Sequence, residues 1–247
     1  VKVLELFSGT GSLSKVAKER GHDIFTVEIN PDFNPDLCKN IMDVTSQEIL
    51  ERFGRPDLIW ASPPCTTFSV ASICRYWTDG KPKNEKTLEG IALVKKTLQL
   101  IRELNPTFWI IENPRGMLRK QEFMPNDFRK TVTYCQYGSH VQKPTDLWNN
   151  ISAWIPRPVC KPNANCHDHQ PRGYASKLKA GVLHLGTQGR KSNYEKVRNP
   201  IFRAVVPRDL CLEIVKACEV KVADGTPTTN DGIPPNNKLL GILPTIL

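Results

Sequence analysis

The sequence predicts an α/β fold built on a mostly parallel sheet, with a smaller loop-rich lobe attached. Three observations carry this expectation. From Val1 to about Asn150, strand-length apolar runs alternate with helical patterns, as βαβ units require. The runs are short, continuous and rich in β-branched or aromatic residues, which suits interior strands covered on both faces. From Ile155 to Arg208 the composition then shifts to Gly, Asn, His and basic residues with few long apolar runs.

The expected strands are Val1–Phe7, Asp23–Glu28, Asp57–Ala61, Thr107–Glu112 and Thr131–Tyr137. The clearest helix runs from Leu88 to Leu104, where Leu88, Ile91, Leu98, Ile101 and Leu104 recur on one side until Asn105 and Pro106 close it. A second helix is expected from about Pro207 to Glu219, with Pro at a tolerated first-turn position. The chain is therefore expected to divide into an α/β body at 1–154, a basic lobe at 155–206, a returning helix at 207–221, and a polar linker with an apolar tail at 222–247.

At 247 residues the chain is long enough for one large domain carrying a smaller lobe. Hydrophobic residues make up 39% and charged residues 24%, and no apolar run approaches the ~20 residues of a bilayer span, which argues against disordered and membrane classes. The net charge of +9 is unevenly placed. Residues 155–208 hold eleven Lys or Arg and two Asp or Glu, so this stretch carries the whole excess and the remainder is neutral. A concentrated positive stretch suits a polyanionic partner. The eight cysteines are expected to be reduced thiols in a cytosol-like compartment, because VKVLELFSGT reads as a buried strand rather than a secretory segment.

Three motifs sit at expected strand ends. In LELFSGTGS (Leu4–Ser12) a strand runs into a turn containing Gly9 and Gly11 and then into a helix, so a ligand could approach the backbone closely, near N–H groups that favour an anion. Glu28 ends the next strand 19 residues after Gly9, about where α/β nucleotide sites place an acid on ribose hydroxyls. Asp43, after Ile41 and Met42, is a candidate contact from the third strand. In LIWASPPCTTFS (Leu58–Ser69) an apolar strand delivers Pro63, Pro64 and Cys65 to its carboxyl edge, and two prolines would fix the direction of a nucleophilic thiol. In FWIIENPRG (Phe108–Gly116) a strand ends in Glu112 and Asn113; the carboxylate is a candidate proton donor, or a cap for a following helix. Cys65 and Glu112 would lie on neighbouring strands within reach of one substrate.

Together these strings resemble the DNA (cytosine-5)-methyltransferase family, in particular its compact phage and prophage branch, over most of Val1 to Val220. TVTYCQYG, KPTDLW, GTQGRKS and VPRDLCLEI resemble further segments of that branch. The resemblance implies a Rossmann-like S-adenosylmethionine-dependent fold with a target-recognition lobe. It further implies C5 methylation of a flipped cytosine in double-stranded DNA, by a monomer in the cytoplasm of a bacterium or a phage-infected host, with no membrane association. By the same resemblance Cys65 is the nucleophile, oriented by Pro64, and Glu112 the base-holding acid, with Asn113 beside it. The cofactor would lie over Phe7, Ser8, Gly9, Thr10, Gly11 and Pro63, with Glu28 and Ile29 at its ribose and Asp43 and Val44 near its adenine. Arg75, Tyr76, Trp77, Lys81 and Lys83 resemble the loop that closes over the base.

The family's Gln-x-Arg-x-Arg motif is replaced by Gln142-Lys143-Pro144-Thr145-Asp146, leaving Lys143 as the candidate cation, and its late Gly-Asn-Ser motif has no counterpart. Arg75, Arg172, Lys177, Lys179, Arg190, Lys191 and Arg198 are the candidate DNA contacts. CKPNANCHDH offers Cys160, Cys166, His167 and His169 as a possible structural zinc site, with free thiols and surface histidines as the alternative. Other functions that share parts of this pattern are exocyclic-amine methylation, RNA (tRNA) cytosine methylation, and a catalytically silent DNA-binding regulator.

Overall fold

The computed structural model describes residues 1–161, 164, 166–167 and 204–223. Seven strands form one sheet: β1 (Lys2–Leu6), β2 (Asp23–Glu28), β3 (Leu37–Cys38), β4 (Leu58–Ala61), β7 (Phe108–Pro114), β8 (Arg129–Thr133) and β9 (Pro144–Asn149). Their spatial order is β3-β2-β1-β4-β7-β9-β8. The pairs β2/β3, β1/β2, β1/β4 and β4/β7 are parallel, whereas β9 runs antiparallel to both β7 and β8. A short ribbon of β5 (Trp77–Thr78) and β6 (Lys81–Pro82) stands apart. Among the described residues the helices are α1 (Ser12–Glu19), α2 (Ser46–Arg52), α3 (Ile73–Tyr76), α4 (Glu85–Leu104) and α5 (Arg208–Ala223).

Alternate residues of each strand serve opposite faces of the sheet, and both faces are covered. Leu4, Leu6, Ile59, Ala61, Trp109 and Ile111 join the core with Leu98 and Ile101 of α4. Val3, Leu58, Trp60, Phe108 and Ile110 join the other core with Leu13, Val16 and Ala17 of α1 and Leu210, Ile214 and Val215 of α5. Helix α5 thus packs on α1. Arg20 donates from Nε and Nη2 to the two oxygens of Glu219, each at 2.6 Å, and Arg208 reaches Glu19 at 2.7 Å.

Several boundaries differ from the sequence reading. The strand expected over Thr131–Tyr137 stops at Thr133, because Tyr134–Tyr137 turns as a 3-10 segment closed by Gly138 at φ 86°. An unexpected strand, β9, inserts between β7 and β8. Its buried Asp146 is a poor strand former on propensity alone, but it is met by the Arg119 guanidinium and by the Thr131 hydroxyl at 2.8 Å. Helix α4 begins at Glu85, three residues before Leu88, because the Asn84 side chain accepts from the Thr87 N–H at 3.1 Å and caps it. Helix α5 continues to Ala223, past the expected start of the linker at 222. The apolar tail and most of the lobe at 155–206 lie outside the described residues.

Candidate active site

Strand β1 neighbours β2 on one side and β4 on the other, so the order of the parallel strands reverses between β1 and β4. Open α/β sheets bind ligands in the crevice beyond the carboxyl ends at such a point. Here that crevice is a cavity of about 1030 Å³, lined by Phe7, Ser8, Gly9 and Thr10 after β1, Pro63, Pro64 and Cys65 after β4, and Glu112, Tyr134 and Lys143 from farther along the sheet.

The turn after β1 bends through positive φ at Phe7 (57°), Gly9 (46°) and Gly11 (65°), and Gly11 leads into α1 from a left-handed conformation that glycine adopts without penalty. The first N–H groups of α1 were expected to face an anionic ligand. Two of them do not. Glu5, buried beneath the turn, accepts from the Ser14 N–H at 2.9 Å and the Leu13 N–H at 3.4 Å, and also from the Ser14 hydroxyl. Burial raises the Glu5 pKa above the usual carboxylate value.

Glu28 braces the same turn from β2: its carboxylate accepts from the Gly9 N–H at 2.9 Å and from the Ile29 and Asn30 N–H groups at 2.9 and 3.1 Å. The expected cofactor residues therefore divide. Phe7, Ser8, Gly9, Thr10 and Pro63 line the cavity, whereas Gly11, Glu28, Ile29, Asp43 and Val44 do not. Ile29 and Asp43 are exposed and Val44 is fully buried in the core. The cavity's volume and the glycine turn in its wall suit a nucleoside-sized ligand.

The Pro-Pro-Cys segment is fixed from two directions. Asn113 Nδ2 donates to the Pro63 carbonyl at 2.9 Å, and the Cys65 carbonyl accepts from the Phe68 and Ser69 N–H groups at 3.1 and 2.9 Å. Farther along, the Met117 N–H donates to the Phe68 carbonyl at 2.8 Å. That approach requires glycine at 116, where a Cβ would lie 2.0 Å from the Phe68 oxygen. Pro63 is buried, Pro64 exposed and Cys65 half-buried at the cavity wall.

Strand β4 pairs directly with β7, with Ala61 opposite Ile111, so Cys65 and Glu112 emerge at neighbouring carboxyl ends as expected. Glu112 is buried. No helix follows it for the carboxylate to cap: the next segment is the 3-10 turn Leu118–Lys120. Instead the Tyr134 hydroxyl donates to Glu112 Oε1 at 2.8 Å. Lys143 Nζ lies 4.0 Å from the same oxygen and 4.5 Å from the Tyr134 ring centroid. Burial, reinforced by the Glu112 charge, holds the Tyr134 pKa well above its ordinary value, so the hydroxyl stays a donor. Sequence reasoning gave Tyr134 and Glu5 no role, although both line the cavity. For Tyr134 the available signal was TVTYCQYG, read only as a matching string.

Arg75 is exposed on α3 and does not line the cavity, while Tyr76 and Trp77 are buried anchors rather than loop-surface residues; the Trp77 indole donates to the Thr67 carbonyl at 2.6 Å. Two residues counted in the basic lobe are structural clamps: Arg157 pairs with Glu213 and Asp209, and Arg208 with Glu19. Arg172, Lys177, Lys179, Arg190, Lys191 and Arg198 lie outside the described residues. Of the expected metal ligands, Cys160, Cys166 and His167 come together with a fourth group, Cys135, and His169 lies outside the described residues. Among the described residues no helix is long and apolar enough to cross a membrane.

The architecture, with its ligand crevice at the β1/β4 reversal, is the Rossmann-like fold of S-adenosylmethionine-dependent methyltransferases. Residues 1–142 match the family model for C-5 cytosine-specific DNA methylase, and the chain belongs to that family. It is similar to a Frog virus 3 protein named as a probable DNA (cytosine-5)-methyltransferase, at 28% identity over 85% of this chain and 100% of the viral one. It is also similar to the type II methyltransferase M.AquIA of Picosynechococcus, at 30% identity over 47% of this chain, and M.SacI of Streptomyces achromogenes, at 28% over 45%. The chain spans 50% and 29% of those two relatives, respectively. A solved E. coli prophage chain described as a "putative DNA modification methyltransferase" superposes with a TM-score of 0.47 at 20% identity, covering 65% of this chain and 52% of that one.

Proposed function

We propose that the chain methylates C5 of cytosine in double-stranded DNA, with Cys65 as the nucleophile and Glu112 as the acid that holds the base. The observation that carries this reading is the single cavity shared by the glycine turn, the Pro-Pro-Cys segment and the Glu112–Tyr134–Lys143 group. S-Adenosyl-L-methionine, when bound, supplies an electrophilic methyl group. Phe7–Thr10 and Pro63 hold it at the cavity wall, and Glu28 shapes the turn beneath it.

The target base leaves the stack, since C5 and C6 are otherwise out of reach of a nucleophile. Cys65 thiolate then forms a bond to C6, and the displaced π pair makes C5 carbanion-like while Glu112 holds N3 and the exocyclic amine. Tyr134 and Lys143 fix the Glu112 carboxyl from one side, and Asn113 holds the Cys65 segment through the Pro63 carbonyl. C5 would take the methyl group from the sulfonium, which leaves as a neutral thioether; the C5 proton would pass to water, and the electron pair so freed would expel the Cys65 thiolate and restore the ring. The basic lobe, with Arg172, Lys177, Lys179, Arg190, Lys191 and Arg198, and Arg75 on the body, supplies phosphate and base contacts to a monomer acting in the cytoplasm.

The test follows transfer of a labelled methyl group to a DNA duplex. Cys65→Ala is expected to lower transfer roughly 10³-fold or more, and a 5-fluorocytosine duplex to trap the unaltered chain, but not the variant, as a covalent complex. Transfer that survives in Cys65→Ala, or a methyl group found on the exocyclic amine, would overturn the reading.

A further inference from the structure

We propose that Cys135, Cys160, Cys166 and His167 bind one zinc ion that ties the start of the basic lobe to the catalytic body. This inference is independent of the methyl-transfer reading. The four donor atoms lie within 4.8 Å of one another although they come from two stretches some 25 residues apart. Cys160 Sγ is 3.1 Å from Cys166 Sγ, and both sulfurs are 3.5 Å from His167 Nδ1. Around a tetrahedral zinc, the bond lengths place two sulfurs about 3.8 Å apart and a sulfur and a nitrogen about 3.6 Å apart. The cluster is already close to that size.

A disulfide fits the arrangement less well. A sulfur–sulfur bond is about 2.05 Å long, shorter than the 3.1 Å separation, and a Cys160–Cys166 bridge would leave a third thiol and an imidazole converging on nothing. Cys135 and Cys160 are buried, His167 half-buried and Cys166 exposed, so the donors lie at the protein's edge, and the backbone of Cys160 is already held. The Cys160 N–H donates to the Thr133 hydroxyl at 2.9 Å, Gln142 Nε2 to the Cys160 carbonyl at 3.4 Å, and Gln136 Nε2 to Cys166 Sγ at 3.3 Å. A side-chain amide donating to sulfur is the outer support that stabilises a thiolate ligand.

Binding releases three thiol protons and involves no redox change: three thiolates and a neutral imidazole hold the dication with a net charge of −1. All four positions are filled by protein, which makes the site structural. Cys135 directly follows Tyr134, so the metal would pin the very turn that presents the tyrosine hydroxyl to Glu112. Cys135 joins Cys160, Cys166 and His167 of the sequence reading, and His169 lies outside the described residues.

The full chain, purified without added metal and analysed by elemental mass spectrometry, is expected to carry one zinc per molecule. Chelator is expected to lower its melting temperature and zinc alone to restore it. Cobalt(II) in place of zinc is expected to give thiolate charge-transfer and tetrahedral d–d absorption, a test that needs no variant. Cys135→Ser and Cys166→Ser should weaken zinc binding at least tenfold, while His169→Ala leaves it unchanged. A folded unaltered chain that takes up neither zinc nor cobalt overturns the proposal. So does a Cys160–Cys166 disulfide in the unreduced protein, or zinc lost in His169→Ala but kept in Cys135→Ser.

Discussion

The side-chain amide of Asn113 donates to the carbonyl of Pro63 at 2.9 Å, joining the end of β7 to the segment that carries Cys65. Asn113 is fully buried, and its own Oδ1 has no hydrogen-bond partner among the described residues. Asn113→Ala should destabilise the fold by about 1–3 kcal/mol, because the Pro63 carbonyl loses its donor. Asn113→Asp should cost more, since a buried carboxylate would then face that carbonyl oxygen. Chemical denaturation of the three proteins gives the order, and equal stability of the Asp and Ala variants would contradict it.

Tyr134→Phe removes the hydroxyl that donates to Glu112 while keeping the buried ring beneath Lys143. The expected effect is about a tenfold fall in kcat, the kinetic equivalent of one hydrogen bond worth roughly 1.4 kcal/mol. On the proposed mechanism Tyr134 positions Glu112 rather than binding the substrate, so KM for duplex DNA should change less than twofold. Steady-state kinetics separates the two quantities.

Gly116→Ala places a methyl group 2.0 Å from the Phe68 carbonyl oxygen, against backbone that closes the turn after Cys65. Relief requires the two segments to part. Destabilisation of about 1–3 kcal/mol is expected, together with a fall in kcat, read by chemical denaturation and steady-state kinetics of the variant.

Glu219 is held at a pKa of about 2, mainly by its hydrogen bonds to the Arg20 guanidinium and also by His22. Its folded value is depressed, so its contribution is complete above the ordinary carboxylate value of about 4.5 and is lost as pH falls toward 2. Glu219→Gln should lower stability by about 1 kcal/mol at pH 7, discounted for solvent screening of this part-exposed cluster. The difference between the two proteins should vanish near pH 2, as read by urea denaturation across that range.

The three strand-end motifs were legible because each is a local string that follows an apolar run: the β1 turn, the Pro-Pro-Cys segment and Glu112 all stand where they were expected. What escaped depends on partners distant in sequence. Asp146 hides β9 until Arg119, 27 residues away, neutralises it. Glu5 reads as a polar interruption of a strand until α1 folds back over it. Cys135, read only as part of TVTYCQYG, received no ligand role because its neighbours in the cluster lie 25 residues or more downstream. Charge counting placed Arg157 and Arg208 with the lobe, yet their carboxylate partners on α5 and α1 make them part of the frame.

That frame has a consequence for how the molecule could be rebuilt. The outgoing chain is gripped at Arg157 by Glu213 and Asp209 of α5, and on its return the Val206 N–H bonds the Ser12 hydroxyl at 3.1 Å, just ahead of the same helix. Both margins of the lobe are thus pinched at one neck. Residues inserted between these two anchors add closure entropy only logarithmically with their number, so a change of length there is expected to leave the sheet and the α1/α5 clasp as they are.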